Sequence, residues 1–220
     1  MRTLTLCAAL LAAAAPLAAQ GHQHDPDRPA TGGGGTLPAG WHAHPDRAEA
    51  DMAGLRFASM PPGWHVTTGP AVILWRPQDT ATGEFTASAT IHQTKAPAHP
   101  EAYGIFIAGS RLEANPDYMY FLVRGDGKYM VRHRAASGEL HTIVDWTESP
   151  AVHRQNEAGQ ASNALAVEGG PWGVRLKING TQVHEWLKRD VPYLKTDGIV
   201  GLRVNHNLDV HVADFSVTRR

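Results

Sequence analysis

From residue 51 onward the sequence predicts an all-β domain, folded as a two-sheet antiparallel sandwich or a barrel. Three observations predict it. No segment of about ten residues carries the 3.6-residue apolar stripe of a helix. Short runs of β-branched and aromatic residues recur instead, roughly 8–15 residues apart. Turn signals separate them, among them Gly125-Asp126-Gly127, Asn179-Gly180 and Asp197-Gly198.

Taken in order, Ala71 to Trp75 is an apolar run closed by Pro77. Phe85 to His92 alternates, with Phe85, Ala87, Ala89 and Ile91 on one face and Thr86, Ser88, Thr90 and His92 on the other. Tyr103 to Ala108 is apolar throughout, as in a strand covered on both faces. Tyr118 to Arg124 and Lys128 to Arg134 flank the first hairpin turn. His141 to Trp146 and Ala164 to Glu168 are further strands. Val174 to Ile178 and Gln182 to Trp186 flank Asn179-Gly180, the dipeptide a type I′ turn requires. Ile199 to Asn205 and Val210 to Val217 end the chain. About ten to twelve strands result, and no repeat period is present.

Residues 1–19 read as a secretory signal peptide: Arg2, then an apolar segment too short to span a bilayer, then Pro16 and small residues. The expected location is therefore exported, periplasmic or extracellular. Cleavage after Ala19 removes Arg2 and no acid, which takes the formal charge from −1 to −2. It also removes Cys7, the only cysteine, so no disulfide, thiol nucleophile or Cys-based zinc site is available. Residues 20–50 have linker composition, with glycine at 32–35 and surrounding Pro, Asp and His. The domain proper is then 51–220. Near-neutral charge argues against a nucleic-acid binder, and no later apolar run reaches membrane-spanning length.

The succession of Gly83-Glu-Phe-Thr-Ala-Ser-Ala-Thr-Ile, Tyr103-Gly-Ile-Phe-Ile-Ala-Gly109, Tyr118-Met-Tyr-Phe-Leu-Val-Arg-Gly-Asp-Gly-Lys-Tyr, Asn163-Ala-Leu-Ala-Val, Val174-Arg-Leu-Lys-Ile-Asn-Gly-Thr-Gln-Val, Thr196-Asp-Gly-Ile-Val-Gly-Leu-Arg-Val and Val210-His-Val-Ala-Asp-Phe-Ser-Val217 resembles the concanavalin A-like lectin/glucanase superfamily, including LamG-like and 3-keto-disaccharide hydrolase domains. The resemblance spans roughly 57–217. It implies a jelly roll of two curved sheets, with carbohydrate or a glycan-like molecule as the commonest ligand. It does not by itself imply catalysis.

The acids that glucanases of this fold carry at alternate strand positions are missing; Asp145-Trp146-Thr147-Glu148 is the nearest run. There is no G-x-S-x-G elbow. A sugar-binding face is better represented, because sugar C–H faces stack on aromatic rings while hydroxyls pair with Arg, Asn and His. Strand alternation puts Tyr120, Arg132, Arg203 and Asn205 in one polar row, the candidate for the concave sheet, with His92 and His206 as further candidates. For a metal, His206, Asp209 and His211 are close in sequence, with His92 and His133 as candidates on other strands; Asn205, Asn207 and Asp209 offer oxygens for Ca²⁺. Trp172, after Gly169-Gly170-Pro171, is a candidate exposed platform. Arg124-Gly125-Asp126 and the sequon Asn179-Gly180-Thr181 are read as turn chemistry. The leading expectation is an exported binding module. A hydrolase or lyase for a modified sugar and a structural envelope domain are the alternatives.

Overall fold

The structure is a computed structural model and describes residues 37–191 and 194–220. The expected signal segment and the glycine run at 32–35 lie outside these residues. Among the described residues there are fourteen strands: β1 (His42–Pro45), β2 (Arg56–Met60), β3 (Gly63–Thr67), β4 (Val72–Ala81), β5 (Phe85–Gln93), β6 (Ala102–Ser110), β7 (Asp117–Arg124), β8 (Lys128–Arg134), β9 (Leu140–Glu148), β10 (Ala161–Gly170), β11 (Gly173–Ile178), β12 (Thr181–Leu187), β13 (Gly198–Val204) and β14 (Asp209–Arg219). One short 3₁₀ turn, Met52–Gly54, is capped by the Asp51 carboxylate.

The strands form two seven-stranded antiparallel sheets. The first has the order β1-β4-β13-β6-β7-β8-β9, the second β12-β11-β10-β5-β14-β3-β2. The core between them is what strand alternation dictates. Phe85, Ala87, Ala89 and Ile91 of β5 meet Tyr103, Ile105 and Ile107 of β6 and Met119, Phe121 and Val123 of β7. The central strand β6 is buried on both faces from Ala102 to Gly109, as its continuous apolar run requires. Its second face carries a separate apolar cluster, Ile73, Trp75, Phe106, Leu112, Tyr118, Tyr120, Leu122 and Met130, on the outer side of the first sheet.

Three strands were not expected. β2 and β3 pair across Pro61-Pro62, with Met60 opposite Gly63; their apolar residues are too few to stand out as a run. β1 lies inside the stretch read as linker. It pairs with β4 from His42–Trp75 to Pro45–Val72, and Trp41 beside it is buried against Phe57, Trp64 and Phe215. Residues 41–45 are therefore part of the sandwich. A tryptophan with a large apolar ring outweighs the polar composition around it. β4 also runs past Pro77 instead of ending there. Its pairing with β13 jumps from Trp75–Gly201 to Thr80–Ile199, so residues 76–79 lie outside the ladder and the missing proline N–H costs no bond.

The Asn179-Gly180 turn joins β11 and β12 with both residues at positive φ, 49° and 81°. A Cβ at Gly180 would meet nothing within 4 Å. Gly180→Ala is thus expected to cost only the backbone strain, about 1 kcal/mol. Gly104 is the opposite case: a Cβ there would lie 2.0 Å from the Phe121 carbonyl oxygen. Gly104→Ala forces β6 and β7 apart and is expected to cost about 3 kcal/mol. Urea unfolding of the two variants checks the ordering, which reverses if conformational freedom matters more than inter-strand space.

Candidate functional site

The outer face of the first sheet gathers most of the polar row read from the sequence. Cross-strand register lines up His42, Trp75, Gly201, Phe106, Tyr120, Arg132 and Thr142 across all seven strands. The adjacent line is His44, Ile73, Arg203, Gly104, Leu122 and Met130. Two glycines open this surface. A Cβ at Gly201 would lie 2.3 Å from the Leu74 carbonyl oxygen and 2.5 Å from the Phe106 ring, so only glycine leaves room for that ring and for the close approach of β4.

Arg203 is the centre. It is 7% exposed, and a guanidinium at that depth needs a counter-charge. Asp46, just after β1, supplies it. Arg203 Nη1 donates to Asp46 Oδ1 at 2.6 Å and to the Tyr118 hydroxyl at 2.6 Å, and Nη2 donates to Asp46 Oδ2. The guanidinium also stacks over Tyr120, 4.7 Å from the ring centre. Burial pushes the Tyr118 hydroxyl up to about 12, so it remains a neutral phenol at neutral pH. Burial also acts to raise the Asp46 carboxyl, but the Arg203 hydrogen bonds and charge outweigh it and hold the group below its ordinary value.

Arg132 faces Tyr120 across β7 and β8, and its Nη2 is 3.9 Å from the exposed Asp145. Asn205 continues β13, its N–H on the Ala102 carbonyl at 2.9 Å, and alternation puts it on the Arg203 side. Nearby, Arg124 is clamped by Asp126 at 2.9 and 2.6 Å and stacks 4.2 Å from Trp146. The Arg-Gly-Asp tripeptide is thereby folded into the β7–β8 turn. Among the described residues five buried side-chain polar atoms lack a protein partner, and three of them belong here: Arg132 Nε, Arg203 Nε and Asn205 Oδ1. Such atoms are rare in folded proteins because each costs free energy.

Two predicted residues fall elsewhere. His92 is on β5, in the second sheet, opposite His211 with ring centres 5.9 Å apart. It cannot join Tyr120, because outward positions of the two sheets face away from each other. His206 lies in the β13–β14 turn against Glu101 at 3.2 Å. Of the residues whose oxygens were considered for Ca²⁺, Asp209 turns to the second sheet, where it accepts from Thr94, from Thr67 at 3.2 Å, and pairs with His65 at 2.9 Å and Lys95 at 3.1 Å. His133 pairs with His141, away from all of these. Trp172 lines a polar cleft of about 300 Å³ with Glu84, Glu168, Arg175 and Arg220, and Arg175 stacks over it at 5.2 Å. The residue sequence reasoning missed is Asp46, which sat in the supposed linker; the buried Trp41 five positions earlier was its one signal.

A carbohydrate binding module, CBM66, from Bacillus subtilis superposes with a TM-score of 0.57 at 12% identity, covering 81% of this chain and 94% of that one. The fold is the concanavalin A-like jelly roll. A galectin-like protein of unknown function from Bacillus subtilis gives 0.56 at 15% identity over 82% and 90% of the two chains. A putative glycosyl hydrolase from Parabacteroides distasonis gives 0.50 at 10% identity over 81% and 100%. At these identities the likeness concerns the jelly roll alone. No family model and no curated protein matches the sequence. Among the described residues no helix is long and apolar enough to cross a membrane.

Proposed function

We propose that this protein is an exported, non-catalytic carbohydrate-binding module whose ligand rests on the outer face of the first sheet, against Tyr120, Arg132, Arg203 and Asn205. The observation that carries the reading is the cluster of hydrogen-bonding capacity left unmet beside aromatic surface. Arg132 Nε and Arg203 Nε are donors and Asn205 Oδ1 is an acceptor, all buried and all without a protein partner. A sugar offers that combination: hydroxyls that donate and accept, and C–H faces for a part-exposed ring such as Trp146. A flat, evenly solvated face would suit a structural domain instead, and Arg203 and Tyr118 are deeply buried. The names of the neighbouring structures, a carbohydrate binding module among them, agree with this reading. The N-terminal segment supports export.

The test is a glycan array probed with the chain from Gly21 onward, with and without Ca²⁺. Arg132 is the variant of choice because its side chain is 30% exposed and lies outside the Asp46 pair. Arg132→Ala is expected to weaken a specific glycan at least tenfold with thermal stability nearly unchanged. Retained binding in Arg132→Ala would move the site off this face. A blank array would shift weight to a structural role or an unusual sugar substrate.

A further inference from the structure

Around Tyr120 the outward face of the first sheet carries more positive charge than its carboxylates answer. Register puts Lys128, Arg132 and Arg134 of β8 on the side of Arg124, Tyr120 and Tyr118 of β7. Alternate residues of a strand lie about 7 Å apart, so the three cations form a row along β8. With Arg124 and Arg203 they make five. Among the described residues three carboxylates oppose them. Asp46 is clamped by Arg203 and also feels the charge of Arg134, whose Nη2 reaches only the Asp46 backbone carbonyl, at 3.4 Å. Asp126 is clamped by Arg124 and also feels Lys128. Asp145 is 79% exposed and stands 3.9 Å from Arg132, while its Oδ1 accepts the Trp146 N–H at 2.8 Å. Glu148, opposite Lys128 on β9, is taken by Arg154. Five cations against three carboxylates leave an excess of two positive charges, in a chain whose formal charge is −1.

We infer that the glycan taken by this face is an acidic one, whose carboxylate or sulfate groups supply the counter-charge that β8 lacks. The inference rests on the carbohydrate reading above and narrows it to a ligand class. Arg132 is the centre of the row. Its side chain is 30% exposed, yet its Nε is buried without a protein partner. A guanidinium so placed has lost part of its hydration without gaining a close ion pair. Its planar fork offers an oxyanion two parallel N–H donors, whereas a neutral hydroxyl brings one oxygen and no charge. Charge-assisted bonds are about twice as strong as neutral ones, so an anionic sugar gains more here than a neutral one. Lys128 and Arg134 lie to either side of Arg132, so a polymer with an anionic group on successive residues meets a row of cations. Part-exposed Trp146, with Arg124 stacked 4.2 Å from its ring centre, adds apolar surface for the sugar C–H faces. Protein-wide attraction does not explain such a preference, since the net charge is slightly negative and the excess is local.

The test is calorimetric titration of the full chain with two matched pairs of probes. Oligogalacturonate and its carboxyl-reduced, neutral counterpart test for a carboxylate; dextran sulfate and plain dextran test for a sulfate. At least one acidic probe is expected to bind at least tenfold more tightly than its neutral counterpart, and less tightly as salt is added. The pair that shows the difference identifies the anionic group. Arg132→Gln should weaken that binding at least tenfold and Lys128→Gln a few-fold. Lys95→Gln removes the same charge beside Asp209, at the second sheet, and should leave it unchanged. A neutral probe bound as tightly as its acidic partner, and weakened by Arg132→Gln, would overturn the acidic assignment while leaving the carbohydrate face in place. Binding of neither acidic probe would overturn it too, whatever neutral glycan the array finds. Equal losses in Arg132→Gln and Lys95→Gln would reduce the effect to unspecific attraction. Acidic binding untouched by Arg132→Gln would remove both the inference and the face on which it rests.

Discussion

Asp46→Ala is expected to destabilise the fold by about 3 kcal/mol, because it leaves the Arg203 guanidinium charged and buried, with the Tyr118 hydroxyl and the Tyr120 ring beside it but no counter-charge from Asp46. The cost arises from the partner left behind: Asp46 itself is 30% exposed, Arg203 only 8% by side chain. The double variant Asp46→Leu, Arg203→Met removes both charges and should recover much of the loss, since an apolar pair avoids desolvation altogether. Urea unfolding of the single and double variants measures both. Equal destabilisation in the two would show that packing of the Arg203 stem, and not the stranded charge, sets the cost.

The same pair predicts a direction for acid sensitivity. The folded Asp46 carboxyl lies below its ordinary value of 3.8, because Arg203 outweighs the opposing effect of burial. A depressed carboxyl contributes stability that is fully present above the unfolded value and is lost as pH falls through the folded one. The contribution should therefore be intact at pH 5 and above, and decline below about pH 4. Asp46→Asn should flatten the pH dependence in that acid window alone. A matching change of slope near neutrality would assign the effect to histidines.

Asn163→Leu is expected to cost about 4 kcal/mol, the other large effect. Asn163 is fully buried on β10. Its Oδ1 accepts from the His153 N–H at 2.8 Å and from Asn179 Nδ2 at 2.9 Å, while its Nδ2 donates to the Tyr103 hydroxyl at 3.2 Å and the His153 carbonyl at 3.3 Å. One amide thus joins the β9–β10 connection, the β11–β12 turn and the central strand β6. Leucine has similar bulk but strands these groups in a dry interior, each at roughly 1–3 kcal/mol before relaxation. For a domain of this size the midpoint should fall by roughly 8–16 °C. Amide exchange at His153 should accelerate beyond the global change. A loss under 1 kcal/mol would mean that water replaces the amide and that the network is not a tie. The same geometry bears on the sequon: the Asn179 amide is already engaged with Ala151 and Asn163.

The strands from β5 onward were legible because their signals are local. Alternation in Phe85 to His92, the apolar run through Tyr103 to Ala108 and the two glycine turns report the face of a strand and the sign of φ within a few residues. The row of Tyr120, Arg132, Arg203 and Asn205 was legible for the same reason, since parity along each strand puts them on one side. β1 to β3 were not, because their burial is created by distant partners: Trp41 by Phe57 and Phe215, β3 by β14. His92 failed in the candidate set for a related reason. Parity says that it points outward, and nothing in a single strand says from which of two sheets.

By itself, then, the sequence determined the all-β class, most strand positions, the hairpin turns and the face on which each side chain lies. These depend on backbone sterics and a two-residue period. Only the tertiary structure decided which strands became neighbours, that Asp46 neutralises Arg203 across 157 residues, and that the cations around Tyr120 outnumber their carboxylates. Electrostatic and ligand geometry vary over a few ångströms, a distance set by sheet order and register, and neither is encoded in any local run of residues.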